Sequence, residues 1–159
     1  MLTHAPALTA YPLDPHAAPE TLAGWLATGP VAIAFFKISC PVCQLAFPFL
    51  DRIARRGGGG LRIVGISQDE AGLTARFAER FGVGFWLGMD RAAGGYPASN
   101  AYGLTHVPSI FVVEPDGAIS RQWSGFSKVE MEKLAARAGG EGAPPLFGPG
   151  DAVPEWKAG

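Results

Sequence analysis

The sequence predicts a single α/β domain in which helices cover both faces of a mixed central sheet. Short apolar runs alternate with amphipathic stretches through the first ninety residues, a pattern typical of parallel strands joined by helices. Two later strand-like runs, "SIFVVE" and "AISRQWSG", flank the turn residues "PDG" and predict an antiparallel hairpin. A length of 159 residues favours one domain over two.

The elements follow in order along the chain. Residues 1–18 are rich in turn formers and predict an irregular N-terminal arm, whereas residues 19–138 carry the regular patterns of the domain. After a short helix in "PETLAGWLATG", the run "VAIAFF" is typical of a strand buried on both faces. "CPVCQLAFPFLDRIARR" then predicts a helix, "LRIVGIS" a strand, "DEAGLTARFAERFG" a helix and "VGFWLGMD" a strand. The hairpin and the helix "SKVEMEKLAARAGG" complete the domain, and residues 139–159 predict a Pro/Gly-rich tail.

Composition excludes several classes of function. A net charge of −1 gives no reason to expect a nucleic-acid or anionic-membrane partner. The apolar run at residues 31–36 is far shorter than the ~20 residues of a membrane-spanning helix. The first thirty residues contain no Lys or Arg and so lack the charged start of a secretory signal. We therefore expect a cytoplasmic protein, with an exported protein whose signal has been removed as the alternative.

The two cysteines, Cys40 and Cys43, stand three positions apart. A structural disulfide closing so small a loop would stabilise little, because loop-closure entropy grows with loop length. A zinc site usually needs four ligands and an iron–sulfur cluster usually needs four thiolates, whereas the chain has two Cys and three His. The spacing therefore favours a redox-active pair over a metal site or an inert pair, and we expect no metal and no bound cofactor.

The setting of the pair suggests how it would react. Cys40 follows a buried strand and Pro41 opens the next helix, so Cys40 lies at a helix N-terminus, where unpaired N–H groups favour an anion such as a thiolate. Cys43 lies one helical turn further along the same face. In disulfide exchange, Cys40 would attack a substrate disulfide and Cys43 would resolve the mixed disulfide.

Four ordered segments, spanning roughly residues 20–138, make the chain resemble the thioredoxin superfamily, and in particular its TlpA-like and redoxin branch. They are "FFKISCPVCQLAFPFL", "LRIVGISQDE", "YGLTHVPSIFVVEPDGAI" and "WSGFSKVEMEKL". The resemblance implies a thioredoxin fold, a three-layer α/β/α arrangement with a mixed sheet. It also implies an added helix and strand, in "EAGLTARFAERFGVGFWLGMD", between the CxxC helix and the family's cis-proline.

The resemblance also implies a substrate groove beside the cysteines. Pro108 matches the family's cis-proline, Val107 would offer its backbone to a substrate chain, and Gly125 would line the same groove. Lys37, three residues before Cys40, is interpreted in two ways: its ammonium reaches water, or it lies near Cys40 and stabilises the thiolate. Asp69 and Glu70 are candidates to accept a proton from Cys43.

These observations predict a thiol–disulfide oxidoreductase, acting as a disulfide reductase on protein substrates or with a partner oxidoreductase, as a monomer. Two alternatives stay open. One is a peroxiredoxin-like thiol peroxidase in which Cys40 attacks peroxide. The other is a non-catalytic thioredoxin-fold module that uses the groove only for binding.

Overall fold

The computed structural model describes residues 2–57 and 59–159 and has the three layers that the sequence predicts. Strands are numbered in chain order: β1 Thr9–Pro12, β2 Glu20–Thr21, β3 Val31–Phe36, β4 Arg62–Ser67, β5 Trp86–Met89, β6 Ser109–Val113, β7 Ile119–Ser124, β8 Phe126–Ser127 and β9 Trp156–Lys157. Helices are numbered likewise: α1 Leu22–Leu26, α2 Pro41–Ala54, α3 Ala71–Phe81, α4 Pro97–Ala101 and α5 Lys128–Gly139. Within the described residues, none of the helices combines the length and the apolar character that crossing a bilayer demands.

The main sheet is mixed and has the order β2-β1-β5-β4-β3-β6-β7. Strands β3, β4 and β5 run parallel, with Val31 opposite Arg62 and Val64 opposite Trp86. Strands β6 and β7 form the predicted antiparallel hairpin beside β3. The added helix and strand predicted after the CxxC helix are α3 and β5, and β5 widens the sheet next to β4.

Strand β3 separates two hydrophobic cores because its side chains alternate between the faces of the sheet. Ala32, Ala34 and Phe36 belong to a core that includes residues of α2, α3 and α5. Val31, Ile33 and Phe35 belong to a second core, which includes residues of α1 and α4. All six β3 residues are buried, as expected for a strand covered on both faces.

The parallel strands place three loops at one edge of the sheet. The carboxyl ends of β3, β4 and β5 meet there, and open α/β sheets commonly bind ligands at that edge. The loop after β3 leads directly into α2 and carries Cys40. The fold therefore presents the first cysteine at the edge where a binding site is expected.

The prediction of an irregular arm over residues 1–18 is wrong for residues 9–12. These form β1, which pairs antiparallel with both β2 and β5. Leu8 and Ala10 are buried in the second core, so burial of apolar surface fixes a segment that has little strand signal of its own. His4 also forms a bridge with Ala118 in the hairpin.

The tail predicted over residues 139–159 is likewise more ordered than its composition suggests. Leu146 is buried, and the N–H groups of Leu146 and Phe147 donate to the carboxylate of Glu132 at 2.9 and 3.0 Å. Further along, β9 pairs antiparallel with β8 in a separate two-stranded sheet. The tail thus packs along the domain and returns to the segment after β7.

Candidate active site

Cys40 is the N-cap residue of α2. Its backbone is extended, Pro41 occupies the first helical position, and the N–H of Cys43 donates to Cys40 Sγ at 3.1 Å. The N–H of Cys40 itself donates to the carbonyl of Lys37 at 3.2 Å and closes the loop after β3. The side chain is only partly buried. The structure therefore places this sulfur at the helix N-terminus, where a backbone N–H group is directed at it.

Cys43 lies one turn further into α2 and is fully buried. Burial raises the pKa of the Cys43 thiol well above its ordinary value, and the hydrogen bond with the Cys40 sulfur raises it further. A neutral thiol is therefore the resting form of Cys43 at physiological pH. Both cysteines are free in the structure.

The loop before β6 forms the second wall of the site. The Val107–Pro108 peptide bond is cis, and the Cys40 thiol donates to the carbonyl of Val107 at 3.4 Å. The N–H of Gly125 donates to the carbonyl of Pro108 at 2.8 Å, which ties the end of β7 to this loop. The structure thus brings Val107, Pro108 and Gly125 together beside Cys40.

Two side chains fix the loop between β3 and α2. The carboxylate of Asp69 accepts the N–H of Ile38 at 2.8 Å, and the side-chain amide of Gln44 donates to the carbonyl of Ile38 at 3.0 Å. The carboxylate of Asp69 therefore contacts the backbone next to Cys40. Sequence reasoning missed Gln44, although a polar residue directly after Cys43, in a stretch over residues 41–50 that is otherwise apolar, was a usable signal.

Lys37 is exposed, and its side chain forms no ion pair within residues 2–57 and 59–159. Its backbone carbonyl, and not its ammonium, makes the hydrogen bond to Cys40. In the part of the chain that the structure describes, no group of three or more His, Cys, Asp or Glu residues is arranged to hold a metal ion. The hydrogen-bond partners of the Cys40 sulfur are instead backbone groups, the N–H of Cys43 and the carbonyl of Val107.

Sequence reasoning also missed the contribution of the tail to this site. A methyl group added to Gly125, whose φ is +79°, would collide with the carbonyl of Lys157. A methyl group added to Gly159 would collide with the carbonyl of Val107. The end of the tail therefore lies directly against the loop that faces Cys40, and no pattern in "PEWKAG" indicates that placement.

Comparison with solved structures agrees with the predicted fold. The chain is similar to a putative thiol:disulfide interchange protein DsbE from Chlorobium tepidum, with a TM-score of 0.72 and 20% identity over 87% of this chain and 96% of that one. It is also similar to a secreted Mycobacterium tuberculosis disulfide oxidoreductase homologous to E. coli DsbE, with a TM-score of 0.65 and 21% identity over 82% and 93% of the two chains.

A third structure, the peroxidoxin BcpB from Mycobacterium tuberculosis, aligns with a TM-score of 0.68 and 22% identity over 85% of this chain and 93% of that one. No protein-family model matches the sequence, and no curated protein matches it either. At this level of identity the likeness establishes the fold, and the predicted thioredoxin fold is confirmed.

Proposed function

We propose that this chain is a thiol–disulfide oxidoreductase that reduces disulfides in protein substrates through Cys40 and Cys43. The observation that carries the proposal is the unequal placement of the two sulfurs. Cys40 is accessible and accepts the N–H of Cys43 at the start of α2, whereas Cys43 is buried directly behind it. Such a pair has one sulfur that can meet a substrate and one that can meet only its neighbour.

The reaction follows from that placement. The Cys40 thiolate attacks one sulfur of the substrate disulfide, the substrate S–S bond breaks, and the departing sulfur takes up a proton. Cys43 then loses its proton and attacks Cys40 Sγ, which forms the Cys40–Cys43 disulfide and releases the second substrate thiol. Two electrons pass from the enzyme dithiol to the substrate, and an external dithiol or partner oxidoreductase restores the reduced pair.

Val107, Pro108 and Gly125 are proposed to hold the substrate chain. The Val107 carbonyl lies 3.4 Å from Cys40 Sγ, so a chain paired with this loop would run past the reacting sulfur. We propose a monomer as the active unit. Gel filtration combined with light scattering at assay concentrations tests the monomer directly.

The function is tested by the reduction of insulin with dithiothreitol as the electron donor. We expect the protein to accelerate insulin reduction and Cys40→Ser to abolish the acceleration, because the attacking sulfur is lost. Circular dichroism of the variant shows whether the fold is retained. A folded Cys40→Ser variant with full activity would contradict the proposal.

A second candidate function is thiol peroxidase activity, which the likeness to the peroxidoxin BcpB favours. Cys40 would attack a peroxide oxygen and become a sulfenic acid, with release of water from hydrogen peroxide or an alcohol from an organic peroxide. Cys43 would then condense with the sulfenic acid to form the disulfide with loss of one water molecule. Peroxide consumption in the presence of dithiothreitol separates this candidate from the first. Rapid peroxide loss without insulin reduction would establish it.

The compartment is a separate question from the chemistry. One structural neighbour is a secreted oxidoreductase, which favours the exported alternative over the cytoplasmic protein that the sequence led us to expect. Disulfide exchange proceeds in either compartment, and the local redox poise sets its direction. Fractionation of cells that express the natural gene distinguishes the two locations.

A further inference from the structure

The last residues of the chain lie across one wall of the proposed substrate groove. Residues 155–159, here called the strap, include β9, in which Lys157 pairs with Phe126 and Trp156 pairs with Ser127. The N–H of Lys128 donates to the carbonyl of Glu155 at 2.9 Å and extends this pairing by one residue. The strap therefore runs antiparallel to β8 and is held along it by the backbone.

The strap also reaches the opposite wall of the groove. The absence of a side chain at Gly125 makes room for the carbonyl of Lys157, and Gly159 lies against the carbonyl of Val107. That same carbonyl accepts the hydrogen bond from Cys40 Sγ at 3.4 Å. The carbonyl oxygen of Val107 thus lies next to both Gly159, at the end of the strap, and the Cys40 sulfur.

Burial of side chains contributes little to holding the strap in place. Residues 154–159 are all exposed, and Trp156 keeps 63% of its surface accessible. Val153, by contrast, packs partly buried against the larger core, and Leu146 is fully buried. The tail is therefore anchored up to Val153, and beyond that point its segment has few apolar contacts, as in regions that open easily.

From this arrangement we propose that the strap is an internal competitor, a displaceable strand that occupies the place of an extended substrate chain. A disulfide-bearing segment in extended conformation binds by replacing the strap along β8, in the manner of strand addition to a sheet edge. The inference rests on the proposed function, because it assigns the regulation of the same groove. Binding of substrate and seating of the strap are mutually exclusive.

Removal of the strap tests the inference. For a variant lacking residues 155–159 we expect KM for a peptide disulfide to fall about twofold to tenfold. In the full-length chain the short tether gives the strap a millimolar effective concentration, so the substrate has to compete with it, and the deletion removes this competition. The deleted residues are exposed, so the core stays intact. An unchanged or higher KM in the truncated protein would overturn the inference.

A pair of point variants serves as a matched control for the deletion. Gly159→Ala places a methyl group against the Val107 carbonyl, whereas a methyl group at Gly150 meets no atom within 4 Å. We expect Gly159→Ala to lower KM in the same direction as the deletion, and Gly150→Ala to leave it unchanged. Equal KM values for these two variants would argue against the strap as the cause.

A binding experiment separates this inference from the proposed reaction. The synthetic peptide VPEWKAG, residues 153–159, is titrated into the truncated protein to millimolar concentration while backbone amide signals are recorded. We expect the signals of Phe126, Ser127 and Lys128 to shift, and no shift would overturn the inference. The peptide contains no cysteine, so this outcome does not depend on catalysis, whereas failure of insulin reduction in both proteins would overturn the proposed function alone.

Discussion

The two cysteines of this chain are chemically identical and only three residues apart, yet the fold gives them opposite surroundings. Cys40 is partly exposed at the start of α2 and faces the Val107 carbonyl. Cys43 is buried, and burial keeps its thiol protonated. One helical turn, running from the sheet edge toward the core, is enough to separate an attacking group from a resolving group. The difference between the two sulfurs is thus one of position and not of residue type.

The largest effect is expected from removal of the buried sulfur. In Cys43→Ser the first attack still occurs, but no internal thiol is available to release the substrate, so a mixed disulfide with Cys40 accumulates. We expect release to slow by about 100-fold or more, a barrier increase of about 2.7 kcal/mol. Intact-protein mass spectrometry after mixing with a peptide disulfide measures the adduct. If Cys40→Ser forms the adduct and Cys43→Ser does not, the assignment of Cys40 as the attacking sulfur and Cys43 as the resolving sulfur is wrong.

The raised pKa of Cys43 predicts a pH-dependent stability of the reduced protein. The folded state keeps this proton at pH values where the unfolded chain, with a pKa of about 8.5, has lost it. The stabilisation is therefore complete below about pH 8.5 and is lost above it by up to about 1.4 kcal/mol per pH unit. Urea unfolding at pH 8 and pH 10 should show a loss of about 2 kcal/mol from this group.

Cys43→Ser is the matched control for that measurement. Burial also raises the pKa of Tyr102, which loses its own contribution at high pH, but it does so in both proteins. The difference between the reduced wild type and Cys43→Ser therefore isolates the buried thiol. Parallel pH profiles for the two proteins would show that Cys43 ionises in the folded state as easily as in the unfolded chain.

The position of Cys40 at the start of a helix could be predicted from the sequence, whereas the burial of Cys43 could not. The order of a buried strand, Cys40 and Pro41 is local, so it indicates a helix that begins directly after the first cysteine. The burial of Cys43 depends on how α2 packs against β3 and α5, which no spacing in one helix specifies. The hydrogen bonds of Asp69 and Gln44 to Ile38 depend in the same way on the assembled loops.

The two ends of the chain show the same limit. Residues 9–12 form a strand because β5, more than seventy residues further along, offers an edge and because Leu8 has a core to enter. Residues 156–157 form one because β8 lies beside them. The partners β5 and β8 are distant in sequence, β2 has only two residues, and both local patterns are short, so the periodicity of the sequence indicates neither strand.

A smaller effect is expected from the loop that positions the exposed cysteine. Asp69→Ala removes the carboxylate that accepts the Ile38 N–H, and the lost hydrogen bond to a charged group should cost about 1–3 kcal/mol of unfolding free energy. Glu70→Ala is the control, because Glu70 is exposed and makes no side-chain capping bond; its effect should stay within about 0.5 kcal/mol. Equal losses in the two variants would mean that Asp69 does not fix this loop.

The smallest effect concerns Lys37, whose exposed ammonium is proposed to stabilise the Cys40 thiolate across solvent. Exposed charges interact weakly, so Lys37→Met should slow alkylation of Cys40 by iodoacetamide only about twofold to fivefold at low salt. Lys133→Met, which removes an exposed positive charge from α5, should leave the rate unchanged.

Salt dependence then decides how Lys37 acts. At about 1 M salt the screening length falls to about 3 Å, so an effect carried by the field of the ammonium should vanish there. A loss that persists at high salt would mean that Lys37 acts through a contact with the loop instead. Equal alkylation rates for wild type and Lys37→Met at low salt would mean that Lys37 does not contribute to the reactivity of Cys40. The Cys43 N–H and the start of α2 would then account for that reactivity, and the different surroundings of the two cysteines would be a property of the helix alone.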